Sequence, residues 1–298
     1  MMDRRQFLGT AAGSLALAQH ASFADVPAPT RKPVLGAHVW VFSSELPNYD
    51  CFPVIDQVFA DISYAGFEAV ELMHVALEHP DSVAKIGDLI GRTGVSLMGA
   101  SLGQPMWDKS KQAENVDKAG RVIERIAQLK GRVLGLSLGD ARRKKTPDEF
   151  DVQADTLQKI QAICAQYKVV PNLHNHTYEV ADGLFDLQNT LQRVPDSKLG
   201  PDLDWLFQAK VDVPTFLKTY ADKLVYMHLR DHRWTGVWSE ALGEGIMDWG
   251  GIARQLKQLG YAGDLTVELA FPAGFKPTRP IRESLKMSRA VIKKNFGI

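Results

Sequence analysis

The sequence predicts a (β/α)8 barrel, and three observations carry that reading. Eight short apolar runs alternate with eight amphipathic patterns, the order expected of parallel βαβ units. No glycine-rich phosphate turn follows the first run, as a doubly wound sheet would usually show. Polar, chemistry-bearing residues crowd the late ends of the runs, the face on which such barrels carry their sites.

Taken in order, the chain opens on Asp3-Arg4-Arg5-Gln6-Phe7-Leu8-Gly9, a twin-arginine pattern. A weakly apolar run, residues 10–18, and the small-residue site Ser22-Phe23-Ala24 follow. This is the layout of an export signal, with residues 1–24 cleaved and residues 25–33 an extended, proline-rich lead-in. One domain, residues 34–298, then follows, with no linker-like tract inside it. The expected strands are 34–41, 68–73, 95–101, 133–138, 169–174, 199–204, 224–230 and 265–270. The expected helices are 53–65, 82–93, 111–130, 147–166, 183–194, 213–222, 250–259 and 281–295. Gly66, Gly94, Gly131 and Gly260 stand just past helix ends. Asp81-Ser82 and Thr146-Pro147 have the chemistry of helix starts.

Removing residues 1–24 takes away Asp3, Arg4 and Arg5 and leaves 33 basic against 34 acidic residues. That balance gives no electrostatic reason to expect nucleic acid or anionic lipid as a partner. No later apolar stretch reaches the ~18 residues of a membrane span. Cys51 and Cys164 are the only cysteines. A twin-arginine substrate normally folds before export, in a reducing compartment, so both are expected as buried thiols rather than a disulfide.

Strand alternation sharpens the site. Residues two apart share a face. His174 and His176, Asp202 and Asp204, the trio Tyr226, His228 and Arg230, and the pair Thr266 and Glu268 each fall on one face of their run. Leu265, Val267 and Leu269 fall on the other. Glu71 lies near the end of the second run, Gln104 and Trp107 follow the third, and His38 and Trp40 lie in the first. Polar loops alone would explain Gln104 and Asp140. They explain poorly a Glu268 embedded in Leu-Thr-Val-Glu-Leu-Ala, because burying an ionised carboxylate is costly unless it is paired or holds a metal. Histidines and carboxylates from four strands around one point suit one divalent cation: Mn, Co, Zn or Fe rather than Ca.

Here the chain resembles a known family. Residues 34–296 look like the xylose-isomerase-like barrels, in the branch of sugar phosphate isomerases/epimerases. The matching stretches are Ala65-Gly-Phe-Glu-Ala-Val-Glu71, Leu173-His-Asn-His176 with Glu179, Leu203-Asp-Trp205, Met227-His-Leu-Arg-Asp231, Leu242-Gly-Glu-Gly-Ile-Met-Asp-Trp249, Gly260-Tyr-Ala-Gly263 and Thr266-Val-Glu268. The resemblance implies metal ligands at Asp204, His228 and Glu268, with His174 standing where family members commonly carry a glutamate. It implies catalysis by Glu268 together with His174 or His176, proton transfer through an enediolate, and a second proton carrier drawn from His174, His176 or Glu179. Arg230 is expected to stabilise an oxyanion or hold a carboxylate, or else to pair with Asp231 or Glu244. Glu71, Trp107, Glu179, Trp205 and His232 are expected to contact substrate, and Glu244 and Asp248 to shape the loop after the seventh strand. Copies of family members often pair through the loops at the barrel mouth, which makes a homo-oligomer compatible with the resemblance.

Export argues against a phosphorylated substrate. The expectation is therefore an isomerase or epimerase of an unphosphorylated sugar, keto-sugar or cyclitol. The alternatives are a lyase or dehydratase using the same metal site, and a barrel that only binds sugar. The abasic-DNA endonuclease branch needs a larger histidine set and a basic groove, and neither is visible. The basic run Arg142-Arg-Lys-Lys145 is expected to be solvated.

Overall fold

The computed structural model describes residues 33–298. The twin-arginine pattern, the cleavage site and the lead-in up to residue 32 lie outside the described residues. Seven parallel strands form the wall: β1 (Leu35–His38), β2 (Ala69–Met73), β3 (Ser96–Gly103), β4 (Val133–Ser137), β5 (Val170–Leu173), β6 (Tyr226–Leu229) and β7 (Asp264–Val267). Their order around the sheet is β5-β4-β3-β2-β1-β7-β6. The gap between β5 and β6 is closed by isolated parallel bridges, Leu173 to Leu199, Leu199 to Leu224 and Asp202 to His228. The result is a nearly closed barrel of the TIM type.

The sixth expected strand, residues 199–204, is therefore reduced to bridging residues. Two features explain this. A Cβ on Gly200 would lie 1.9 Å from Asn172 Oδ1, so the backbone passes too close for any side chain. Pro201 has no N–H to give to a ladder. After Asp202 the chain turns directly into a helix.

The helices are α1 (Trp40–Ser43), α2 (Ile55–Ala65), α3 (His74–Leu77), α4 (Ser82–Thr93), α5 (Gln112–Gln128), α6 (Pro147–Tyr167), α7 (Thr177–Arg193), α8 (Leu203–Gln208), α9 (Val213–Thr219), α10 (Trp249–Gln258) and α11 (Ile281–Phe296). Their apolar stripes and the outward faces of the strands make one continuous core. The α6 start is a full capping box, Thr146 with Glu149, and has Pro147 in its first turn. α7 breaks its helical geometry between Ala181 and Leu184. Cys51 and Cys164 are free and buried, and burial pushes both thiols up to about 12. Among the described residues no helix is long and apolar enough to cross a membrane.

Inside the barrel, Ala69, Met98, Val133 and Tyr226 form a small apolar layer of their own. The pairing of β2 with β3 slips at this level: Val70 lies opposite Leu97, but Glu71 lies opposite Gly99. This bulge lets Met98 and Gly99 both occupy the inner side, so that Ser101 also turns inward. Gly99 is required there, because a Cβ would stand 1.9 Å from the Val133 carbonyl oxygen. Gly99→Ala is expected to destabilise the fold by about 3 kcal/mol through overpacking. Gly87→Ala, at an exposed position in α4 with its nearest neighbour atom 3.9 Å away, should stabilise by about 0.5–1 kcal/mol. Denaturant unfolding of the two variants checks both signs.

Candidate metal centre and active site

Three buried side chains converge at the C-terminal ends of the last strands. His174 stands one residue past β5, His228 lies within β6, and Glu268 stands one residue past β7. One ligand-capable atom from each lies within 4.8 Å of the others. The His228 Nδ1 is 2.6 Å from Glu268 Oε2, and its Nε2 is 3.4 Å from Glu71 Oε2. The rings of His174 and His228 are 4.3 Å apart between centroids. His174 Nδ1 and His228 Nε2 are buried without a hydrogen-bond partner. The second of these faces the Glu71 carboxylate, but His174 Nδ1 is a buried orphan, which is rare in native interiors, and imidazole nitrogens beside a carboxylate are what a divalent cation of the Zn, Mn, Co or Fe type binds. The residues present fit such an ion, and three protein ligands leave coordination positions open to substrate oxygens.

The electrostatics follow from burial. Burial alone would discharge His228, but the carboxylates of Glu71 and Glu268 outweigh it and raise its pKa to about 10. Burial works against ionised Glu71 as well, yet the charge of His228 prevails and holds its carboxyl down at about 2. Glu268 is held well below the usual carboxylate range: burial opposes this, and the Arg230 guanidinium outweighs burial. Burial and the neighbouring His228 push His174 well below its usual value, which keeps it neutral with a lone pair to give.

Arg230 is buried and does not meet Asp231 or Glu244. Its guanidinium pairs with Asp202 Oδ2 at 3.1 Å and with Glu268 Oε1. It sits over the faces of Trp205 and Trp238, 5.3 and 5.0 Å from their centroids. Asp202 is shifted upward, because its burial and the nearby Glu268 and Asp204 outweigh Arg230.

Asp204, expected as a ligand, is not brought into the group. The strand ends at Asp202, whose side chain caps α8 by accepting from the N–H groups of Asp204 and Trp205, so residues 202 and 204 do not alternate along one strand. The Asp204 carboxylate accepts instead from His232 Nδ1, from Trp238 Nε1 at 2.9 Å and from Gln208 Nε2 at 2.6 Å. His232, expected to contact substrate, is buried in that second cluster.

Glu179 is likewise committed. Its oxygens accept from the N–H groups of Leu138 at 2.8 Å and His176 at 2.6 Å, tying the end of β4 to the start of α7. His176 is half-open to solvent and stacks on Tyr178. Burial lowers its pKa, and the hydrogen bond and charge of Glu179 more than restore it, for a net rise. Glu71 is 0 % exposed, deep in the barrel. Trp107 has Arg143 over its ring at 5.8 Å and a buried indole N–H without a partner.

The loop after β6 is organised by Asp231. Its carboxylate accepts from the backbone N–H groups of His232, Gly243, Gly245 and Met247 and from Trp249 Nε1. Glu244 is held by Arg279, and Asp248 caps α10. Within the basic run, Arg143 pairs with Glu149, Lys144 with Asp182, and Lys145 is buried against Asp186 at 2.7 Å. The expectation of a solvated run fails at Lys145. Ser101 was invisible to sequence reasoning, because only the bulge turns it inward. The parity of Asp202 with Asp204 was visible, but not the early end of the strand.

The His228 charge makes stability pH-dependent. Its folded pKa is raised above the unfolded value of about 6.5, so its contribution is complete below that pH and is lost as pH rises through about 10. His38 and His174 are shifted down, so above about pH 7 they are neutral in both states and add no slope. The melting temperature of metal-free protein should therefore fall between pH 7 and 10 by scanning calorimetry, the buried thiols adding to the fall above about pH 8.5, and His228→Gln should flatten the part below that.

A family model described as xylose isomerase-like TIM barrel matches residues 59–291. No curated protein matches the chain. Among solved structures, an L-ribulose 3-epimerase superposes with a TM-score of 0.72 at 20% identity, over 89% of this chain and 95% of that one. A D-allulose 3-epimerase from Methylomonas sp., in complex with D-allulose, gives 0.74 at 18%, over 89% and 98%. A 3-keto-D-glucoside 4-epimerase from E. coli gives 0.68 at 17%, over 87% and 100%. These neighbours are epimerases of sugars, and at such identities the likeness is one of fold. With its family model covering most of the barrel, the chain belongs to the xylose isomerase-like TIM barrel family.

Proposed function

We propose that the protein is a divalent-metal-dependent sugar isomerase or epimerase, acting through an enediolate on an unphosphorylated sugar, keto-sugar or cyclitol. The observation that carries the reading is the buried convergence of His174, His228 and Glu268, with an orphan His174 Nδ1, at the catalytic end of a barrel in this family. The ketose and keto-glucoside epimerases of the same fold support the reaction class.

A bound cation supplies Lewis-acid polarisation of a carbonyl and its neighbouring hydroxyl. The chain's own residues do the rest. Glu268, held ionised by Arg230, is the base for a proton next to the carbonyl. Half-open His176, its ring 5.0 Å from that of His174 and its pKa raised, against burial, by Glu179, is the second proton carrier; His174 takes that role only if the cation does not hold its lone pair. Arg230, fixed against the edge-to-face pair Trp205 and Trp238, presents positive charge to the developing oxyanion. Trp205 and Trp238 offer flat faces for the apolar side of a sugar ring. Loss of a β-oxygen group from the same enediolate, a lyase reaction, is the second reading. It is favoured by an imidazole rather than a second carboxylate in the group.

The twin-arginine pattern supports an exported, periplasmic enzyme, which fits an unphosphorylated substrate. Elemental analysis of purified protein should find about one equivalent of Mn, Co, Zn or Fe per chain, and His228→Ala and Glu268→Gln should each lose it. Retention of the ion by Asp204→Ala would confine the ligands to the three converging residues, and its loss would add Asp204 to them. Incubated with keto-sugars in deuterated water, the loaded enzyme should exchange the proton next to the carbonyl, and both variants should lose at least about 100-fold in rate. Wild-type protein that neither holds nor takes up a metal would sink this mechanism and favour a barrel that only binds sugar.

A further inference from the structure

Glu71 lies at the end of a hydrogen-bond chain that can run in only one direction. The backbone N–H of Trp40 donates to His38 Nδ1 at 3.0 Å. A backbone N–H never accepts, so Nδ1 is the acceptor of that ring and the proton of neutral His38 is on Nε2. His38 Nε2 is 3.2 Å from Ser101 Oγ, which accepts from it. The Ser101 hydroxyl is then free to donate onward, and it does so to Glu71 Oε1 at 2.6 Å. The other oxygen, Oε2, accepts from the Tyr226 hydroxyl at 2.7 Å. Both oxygens of Glu71 are therefore acceptors, and His228 Nε2 faces Oε2 at 3.4 Å, close enough for a small shift to complete the hydrogen bond that the ring does not make there.

A neutral imidazole carries a single N–H. Glu268 Oε2, 2.6 Å from Nδ1, accepts from the ring as well; once a cation takes up the lone pairs of Glu268, Glu71 is the acceptor left to the ring, so the proton belongs on Nε2 and the lone pair on Nδ1. We propose that Glu71 is a positioning residue: by accepting from His228 Nε2 it presents Nδ1 as the ligand atom for the divalent cation. Sequence reasoning placed Glu71 on the substrate. Its complete burial and its two hydroxyl donors place it behind the ligand instead, a role that outer carboxylates commonly play toward metal-bound histidine.

The inference rests on the metal-site reading above, and the experiment separates the two. Zinc, which is diamagnetic, is titrated into full-length mature protein labelled with nitrogen-15 in histidine. Affinity is read by chelator competition and ring protonation by long-range proton–nitrogen correlation. The wild-type spectrum should show zinc on Nδ1 of His228 and the proton on Nε2. Glu71→Gln should weaken zinc binding about 10- to 100-fold. An amide nitrogen on either side sets a donor against a donor, and the Trp40 N–H forbids reversal of the chain. Ser101→Ala removes one donor, leaves the acceptor in place and should keep the wild-type tautomer.

Zinc bound with the proton on Nδ1, or unchanged affinity in Glu71→Gln, would overturn the role of Glu71 and leave the metal site standing. Failure of wild-type protein to bind zinc would overturn both. The wild-type spectrum decides the tautomer even if Glu71→Gln does not fold.

Discussion

The imidazole of His228 is suspended between two buried carboxylates, Glu71 on one side and Glu268 on the other, and the catalytic end of the barrel is arranged around that suspension. Glu268 cannot neutralise His228 and Arg230 alone, so Asp202 meets the same guanidinium nitrogen, Arg230 Nη2. Arg230 in turn is kept from solvent by Trp205 and Trp238. Three buried carboxylates thus face two cationic groups. Removing one member of such a set leaves an uncompensated buried charge, which costs far more than the pair contributes. The surplus of negative charge also makes the interior a natural host for an added cation.

This arrangement explains why the polar interior does not collapse the fold. The apolar layer of Ala69, Met98, Val133 and Tyr226 closes the barrel beneath it. Above it, nearly every charge has a partner drawn from a different strand, so the polar network also fixes the strands relative to one another. The loop that carries His232 and Trp238 is anchored separately, through the five donors gathered by Asp231. Site and loop are therefore held by two polar hubs, one around His228 and one around Asp231.

Much of this was legible in the chain. Alternation placed His228 and Arg230 on one face of β6 and put Glu268 at the end of β7, because both stretches are regular strands with apolar outer faces. Alternation failed where the backbone stops being a strand. Gly200 and Pro201 end the pairing early, so Asp202 rather than Asp204 meets Arg230. The bulge at Met98 and Gly99 changes the phase of β3, and nothing in the local hydrophobic pattern marks it. Depth was also hidden: Glu71 and Glu268 both read as late residues of their runs, but Glu71 lies in the middle of β2 and Glu268 one residue past β7. Lys145 shows the same limit from the other side, a lysine in a charged run that the fold buries against Asp186.

The sparse bridging between β5 and β6 has a mechanical meaning. Everywhere else the wall is a continuous ladder, whereas here single bridges at Leu199 and Asp202 join the two sides. The barrel is thus a hoop with a clasp. Any radial strain is taken up where the hoop is least stitched, and that is the arc carrying His174, Asp202 and Trp205. His228 itself is one end of a single bridge, so two of the three converging side chains, His174 and His228, border the most compliant part of the wall, while Glu268 follows β7, which is laddered on both sides.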